Sequence, residues 1–295
     1  MKKMLVVCLL AVAIVCAQPR KLKVLISVDM EGVAGVVSGD QLGPGNFEYE
    51  RFRQFMTQEA VAAVNGARAA GATEIVVGDS HGNGENLLIE KFPPDVKVIR
   101  SWPRRLGMMG GIDATFDAVL FIGYHSSTSN LTGVRAHTFS SARLTGVTVN
   151  GVNQSEGSWN AAIAGQFNVP VVFISGDDAA IAEVRALVGP LESVETKKAL
   201  GFHSAISLTP DAAAELIRTK TASALGRLKS FRPLQIGGPI TLEIAFKHYR
   251  VAEVLAYLRG VDRFSPHAIR YQCKDMLEAS DFLQFLTHFS LNLEP

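Results

Sequence analysis

Cysteine is nearly absent from these 295 residues. Of the three, Cys8 and Cys16 fall within the first 17 positions, so Cys273 stands alone in the remainder. A chain without that first segment forms no intrachain disulfide, and its stability has to come from packing or assembly. Blocks of like charge are absent too: 29 basic residues face 28 acidic ones with no run of either sign, which removes the electrostatic footprint that nucleic acid would need. No internal repeat and no low-complexity tract interrupts the chain. Beyond the first 17 residues there is no second long apolar segment, so no stable membrane insertion is expected.

The first 17 residues are of a different kind. Lys2 and Lys3 precede an apolar run that ends on the small residues Cys16 and Ala17, the pattern of a signal peptide cleaved after Ala17. The run is shorter than a spanning helix requires, and Val15 before Cys16 disfavours a lipid-modified cysteine. An exported protein, periplasmic or extracellular, is the expectation. The whole chain is 47% hydrophobic, enough for a substantial core.

Short apolar runs rich in branched residues recur at 22–28, 74–77, 118–122 and 169–174, and each ends where polar residues begin. Helical spacing fills 47–70, with Phe52, Phe55, Met56, Val61 and Val64 available to one face, and helices are expected at 155–167 and after 174 up to 188. A further strand is expected at 144–149. The alternation predicts an α/β fold with a mostly parallel sheet flanked by helices on both faces. After Ser207 the rhythm changes to a helix at 210–228, a strand at 240–245, a short helix at 251–258 and a last helix at 275–289. This divides the chain into a signal peptide at 1–17, a catalytic α/β portion at 18–207, and a smaller C-terminal α+β portion at 208–295 that covers the site or forms subunit contacts.

Ligands of open parallel sheets bind beyond the carboxyl ends of the strands. Asp29 and Glu31 follow the first strand, two residues apart and pointing the same way if the chain stays extended; His81 and His125 follow two others. Glu156 opens the helix at 155–167. Carboxylates and imidazoles without thiolates form a ligand set for catalytic zinc, and five ligands exceed what one tetrahedral ion uses, so two divalent ions sharing a carboxylate is the economical reading. Each residue alone also has an ordinary role. Asp79 suits a turn or a partner of His81, Glu156 a first-turn carboxylate, Asp177 and Asp178 a helix cap. His203, His248, His267 and His288 fall outside these loops and read as surface or core residues.

With Ser27-Val28-Asp29-Met30-Glu31-Gly32, Asp79-Ser80-His81-Gly82, Gly123-Tyr124-His125 and Glu156-Gly157-Ser158-Trp159-Asn160 in order, the chain resembles the zinc-dependent D-aminopeptidases of the dipeptide-transport operon type. The resemblance implies a binuclear zinc peptidase that removes N-terminal D-amino acids, notably D-alanine, from short peptides or amides. It also implies a hollow homodecamer enclosing the active sites. Asp29, Glu31, His81, His125 and Glu156 match the family's metal ligands, with Asp29 as the bridge, and His137 in Arg135-Ala136-His137-Thr138 matches its catalytic histidine. From the residues alone His137 is one histidine among seven. The residues by themselves leave open a broader metallo-amidase or phosphoesterase, or an exported metal-binding protein without turnover.

Overall fold

The computed structural model describes residues 21–289, so the expected signal peptide lies outside the described residues. Its larger sheet begins with β1 (Leu22–Val28), whose last five residues are fully buried, as an interior parallel strand requires. Next come α1 (Tyr49–Ala69), β2 (Ala72–Asp79), β3 (Lys97–Ile99) and β4 (Ala118–Tyr124). After a long loop, β5 (Leu144–Val149) and β6 (Val152–Asn153) form a hairpin, followed by α2 (Glu156–Gln166), β7 (Val171–Asp177), α3 (Asp178–Val188), β8 (Glu192–Gly201) and β9 (Ser204–Ser207). The remainder is α4 (Pro210–Gly226), β10 (Ile240–Phe246), α5 (Tyr249–Leu255), β11 (Val261–Ser265), β12 (Ala268–Cys273) and α6 (Met276–His288).

Seven strands run in the order β3-β2-β1-β4-β7-β8-β9, all parallel except β9, which turns back antiparallel on β8. The α1 and α4 helices pack on each other, and α2 packs with α3; β4 touches both α1 and α2, so the sheet is covered on both faces. Of the stripe expected on α1, Phe52, Met56 and Val64 are buried, with Ala60, Ala63 and Ala67 beside them, while Phe55 and Val61 are half-buried.

A second, antiparallel sheet has the order β11-β12-β10-β5-β6. The strand expected at 144–149 therefore lies outside the parallel sheet, paired with β10 from the C-terminal portion, while α4 from that portion joins the first sheet's helical layer. The two portions are interleaved across position 207. The β5–β6 connection is Asn150-Gly151, both at positive φ (51° and 78°), a two-residue turn whose twist matches its strands. Among the described residues no helix is long and apolar enough to cross a membrane.

Candidate metal centre

Strand order reverses between β1 and β4: the chain leaves β1 toward β2 on one side and returns to β4 on the other. At such a point the loops diverge and leave a crevice at the carboxyl ends. Asp29 follows β1, His81 follows β2, and His125 follows β4. Two glycines let the first and last of these approach. A Cβ on Gly32 would lie 2.1 Å from the Tyr124 carbonyl oxygen, and one on Gly123, at φ +70°, would lie 2.3 Å from that of Asp29. The Gly32 amide instead donates to the Gly123 carbonyl at 2.7 Å.

The second sheet supplies the other half. The loop into β5 carries His137, and the β5–β6 hairpin leads to Glu156 at the start of α2. Ser155 caps that helix through a reciprocal box with Ser158, which fixes the direction of Glu156; the Phe139 amide donates to Glu156 Oε1 at 2.6 Å. The His137 loop is tied from outside by α3. The Val134 amide donates to Asp177 Oδ2 (2.7 Å), and Ser127 and Asn130 donate to Glu183. Asp177 also caps α3, accepting from the Ala180 amide, as its position predicts.

All six predicted residues meet in one cleft of about 510 Å³. His81 Nδ1 lies 2.8 Å from Glu31 Oε2 and 3.3 Å from Asp29 Oδ1, and His125 Nε2 lies 3.3 Å from Asp29 Oδ2 and 3.5 Å from Glu156 Oε1. His137 Nε2 is 3.9 Å from both Glu31 Oε1 and Glu156 Oε1. The opposite ring nitrogens are each against a backbone carbonyl: His81 Nε2 on Leu42, His125 Nδ1 on Ser126, His137 Nδ1 on Arg135, at 2.7, 3.0 and 2.8 Å. A neutral imidazole that donates there turns its lone pair to the carboxylates. Lone pairs facing lone pairs hold together only with protons or a cation between them.

The geometry favours a cation. Asp29 Oδ2, Glu31 Oε2 and His125 Nε2 are buried without a hydrogen bond, close to neighbours but not aligned with them. Orphaned buried polar atoms that converge are what coordination would satisfy. Asp29, Glu31 and His125 each offer an atom within 4.8 Å of the others, and so do His125, His137 and Glu156. The donor set of oxygen and imidazole nitrogen fits zinc.

With protons alone, the charges strain against burial. Burial would lower both His81 and His125, but the Glu31 charge holds His81 well above the ordinary histidine range, and Glu156 holds His125 up at about 10. Burial, then the neighbouring Glu31 charge, pushes Asp29 up to about 7. Glu31 and Glu156 stay below the usual carboxylate range despite burial, because His81 and His125 respectively stand beside them. Burial and the His125 charge lower His137.

Other residues complete the site. Asp79 serves the turn, accepting from the amides of Asn86 and Leu87, and Asn86 in turn donates to the His81 carbonyl. His288, read from the sequence as remote, lines the cleft and packs on Trp102 with centroids 5.7 Å apart; α6 brings it there. Lys197 on β8 is buried, and its Nζ donates to the carbonyls of Glu31, Val33 (2.9 Å) and Val36 (2.6 Å), pinning the loop that carries Asp29 and Glu31. Nothing in the polar run Glu195-Thr196-Lys197-Lys198 signals which lysine turns inward.

The D-aminopeptidase family model matches residues 22–285. A D-aminopeptidase of Bacillus subtilis (strain 168) is 32% identical over 274 residues, which cover 92% of this chain and 98% of the relative. A solved structure described as the Zn-dependent D-aminopeptidase DppA from Bacillus subtilis, a self-compartmentalizing protease, superposes with a TM-score of 0.87 at 31% identity, covering 93% of this chain and all of the other.

Proposed function

The chain belongs to the D-aminopeptidase family, and from that membership we propose that it is an exported, binuclear zinc enzyme releasing N-terminal D-alanine from short peptides or amides. The observation that carries the binuclear reading is Asp29: its two oxygens face two different imidazoles, Oδ1 toward His81 and Oδ2 toward His125, at 3.3 Å each. A carboxylate so placed could be shared by two ions. Asp29, Glu31, His81, His125 and Glu156 would hold the pair. Bound there, zinc supplies Lewis acidity that polarises the scissile carbonyl and acidifies water.

The chain's own residues do the rest. His137, held by the Arg135 carbonyl at Nδ1, turns Nε2 toward the cleft and the Glu31 and Glu156 carboxylates, where it can take a proton from water and deliver it to the departing amine. With those carboxylates holding the ions, a substrate's free amine would bind at this end of the cleft as a neutral donor to an open metal position. Trp102, Phe139 and Met108 form apolar wall beside the charged cluster and limit water around it.

Export rests on the composition of residues 1–17, and a mature amino terminus at Gln18, read by mass spectrometry after secretion, is its test. A closed homodecamer is proposed by likeness to the self-compartmentalizing relative, and light scattering on the purified chain measures it. The activity itself is tested with D-Ala and L-Ala p-nitroanilides, alongside metal analysis of the same sample before and after chelation. Two ions per chain with D-selective, chelator-sensitive release is the expected result; turnover unaffected by metal loss, or one ion at full activity, overturns the reading.

A further inference from the structure

Beside the metal cleft is a larger cavity of about 960 Å³, formed by the second sheet, α5 and α6, and the two share Ser140, Arg143 and Thr287 along their border. Their linings differ in kind. The metal cleft carries three carboxylates; the neighbouring groove has none among the described residues, only the cations Arg143 and Arg250 with His248, set in apolar wall such as Ile244, Val254, Leu258 and Leu283. A molecule lying across both would have one end in the metal cleft, where a free amine would find an open metal position, and the other against apolar surface with guanidinium groups. A short peptide has that order of groups: a free amine, then side chains, then a carboxylate.

Arg143 occupies the junction. It ends the Ser140-Ser141-Ala142-Arg143 stretch that begins three residues beyond His137, and its Nη1 donates to the Thr287 carbonyl at 3.2 Å, which orients the side chain across the border. Its other guanidinium donors have no partner among the described residues, and the residue is exposed. A planar fork with free donors is suited to a carboxylate. Resting on the peptidase reading above, we propose that this groove is the binding site for the part of the peptide beyond the scissile bond, with Arg143 capturing its terminal carboxylate and the apolar wall taking a hydrophobic side chain. The enzyme is thereby selective for short peptides with a free carboxyl end, because the carboxylate must lie within reach of a guanidinium anchored on the Thr287 carbonyl.

The test uses the zinc-loaded full-length mature protein with D-Ala-Leu, D-Ala-Leu-amide and D-Ala-Gly, and calorimetric binding of Gly-Leu against Gly-Leu-amide. Wild type is expected to prefer the free acid over the amide by about ten-fold or more in kcat/KM, mainly through KM, and to bind Gly-Leu correspondingly tighter. In Arg143→Gln the acid-to-amide ratio falls toward one, and in Val254→Asp the preference for leucine over glycine falls. Equal treatment of acid and amide by wild type, or a ratio that survives Arg143→Gln, overturns the proposal. So does a Val254→Asp variant whose oligomeric state changes while its leucine preference persists, since a second copy of the chain then occupies the groove. If no D-alanyl substrate is cleaved but the Gly-Leu binding difference stands, the peptidase reading fails and the groove assignment holds.

Discussion

His125 and His137 lie face to face, with ring centroids 4.1 Å apart and planes 6° from parallel. Two stacked imidazoliums would repel, so the pair divides its roles. His125 is the one enclosed by Asp29 and Glu156, while His137, its proton affinity lowered by burial and by the His125 charge, turns Nε2 toward the cleft. The same stacking fixes the plane of His137, whose Nδ1 is already tied to Arg135. Arg135 is at φ +55°, a left-handed conformation uncommon for a non-glycine residue, held by its amide on the Phe202 carbonyl. His137→Ala is expected to lower kcat by about 10²- to 10⁴-fold with the metal content unchanged, measured on one sample by steady-state kinetics and elemental analysis. Loss of an ion in that variant would make His137 a ligand instead.

Asp29 and Glu156 offer a test of the proposed two metal positions. Glu156 approaches only His125 and His137 among the imidazoles, at 3.5 and 3.9 Å, whereas Asp29 approaches both His81 and His125. Glu156→Gln is expected to keep one ion per chain, and Asp29→Ala to lose both or hold them at least ten-fold more weakly. Elemental analysis after desalting checks this. Equal retention in the two variants would remove Asp29 from the bridging position.

The strand-end residues were readable because parallel strands bury completely, and the change from apolar to polar in the sequence marks where the chain leaves the sheet: Val28 to Asp29, Tyr124 to His125. Glu156 was readable from the start of its helix. What carried less signal was the other sheet. Its strand β12 buries Ala268, Ile269 and Cys273 with no period of two, and in the parallel sheet β8, with the sequence ESVETKKALG, reads as polar surface although Thr196 and Lys197 are buried. Asn150-Gly151 is a hairpin signal that the expectation of a single strand at 144–149 left unused, and nothing local tells β5 to pair with β10 almost a hundred residues later. His288 could not be placed for the same reason: its position in the cleft depends on how α6 docks, which is a tertiary outcome.

Lys197 shows how a residue without a sequence signal controls the site. Three carbonyl oxygens, of Glu31, Val33 and Val36, accept from one buried ammonium. Lys197→Met keeps the apolar stem and leaves all three acceptors without that donor, each at a cost of about 1–3 kcal/mol where water cannot reach. The loop that carries Asp29 and Glu31 then loses its anchor. A fall in stability of about 3 kcal/mol or more and a weaker metal affinity are expected, measured by denaturant unfolding of the metal-free protein and by competition with a chelator. Unchanged metal affinity in a destabilised variant would confine Lys197 to the fold.

Glu59 gives the pH dependence a sign that can be checked. Buried in α1, it accepts the Ala34 amide at Oε1 (2.9 Å) while Oε2 has no hydrogen bond. Burial pushes its carboxyl from 4.5 up to about 7, against the pull of the Ala34 amide and the Lys197 charge. A carboxyl raised in the folded state holds its proton more tightly there than in the unfolded chain. Its contribution is therefore fully present below pH 4.5 and is lost as the pH rises toward 7. A tenfold difference in proton affinity between the folded and unfolded chain is worth roughly 1.4 kcal/mol. Glu59→Gln keeps the acceptor for Ala34 and removes the titration, so wild type and variant should differ little at pH 5 and diverge, with the variant the more stable, by pH 8. Metal ligands titrate in both proteins alike, so the difference between their denaturant midpoints isolates Glu59. A difference that stays constant across that range, or one that closes as the pH rises, would mean that Glu59 is ionised throughout in the folded protein.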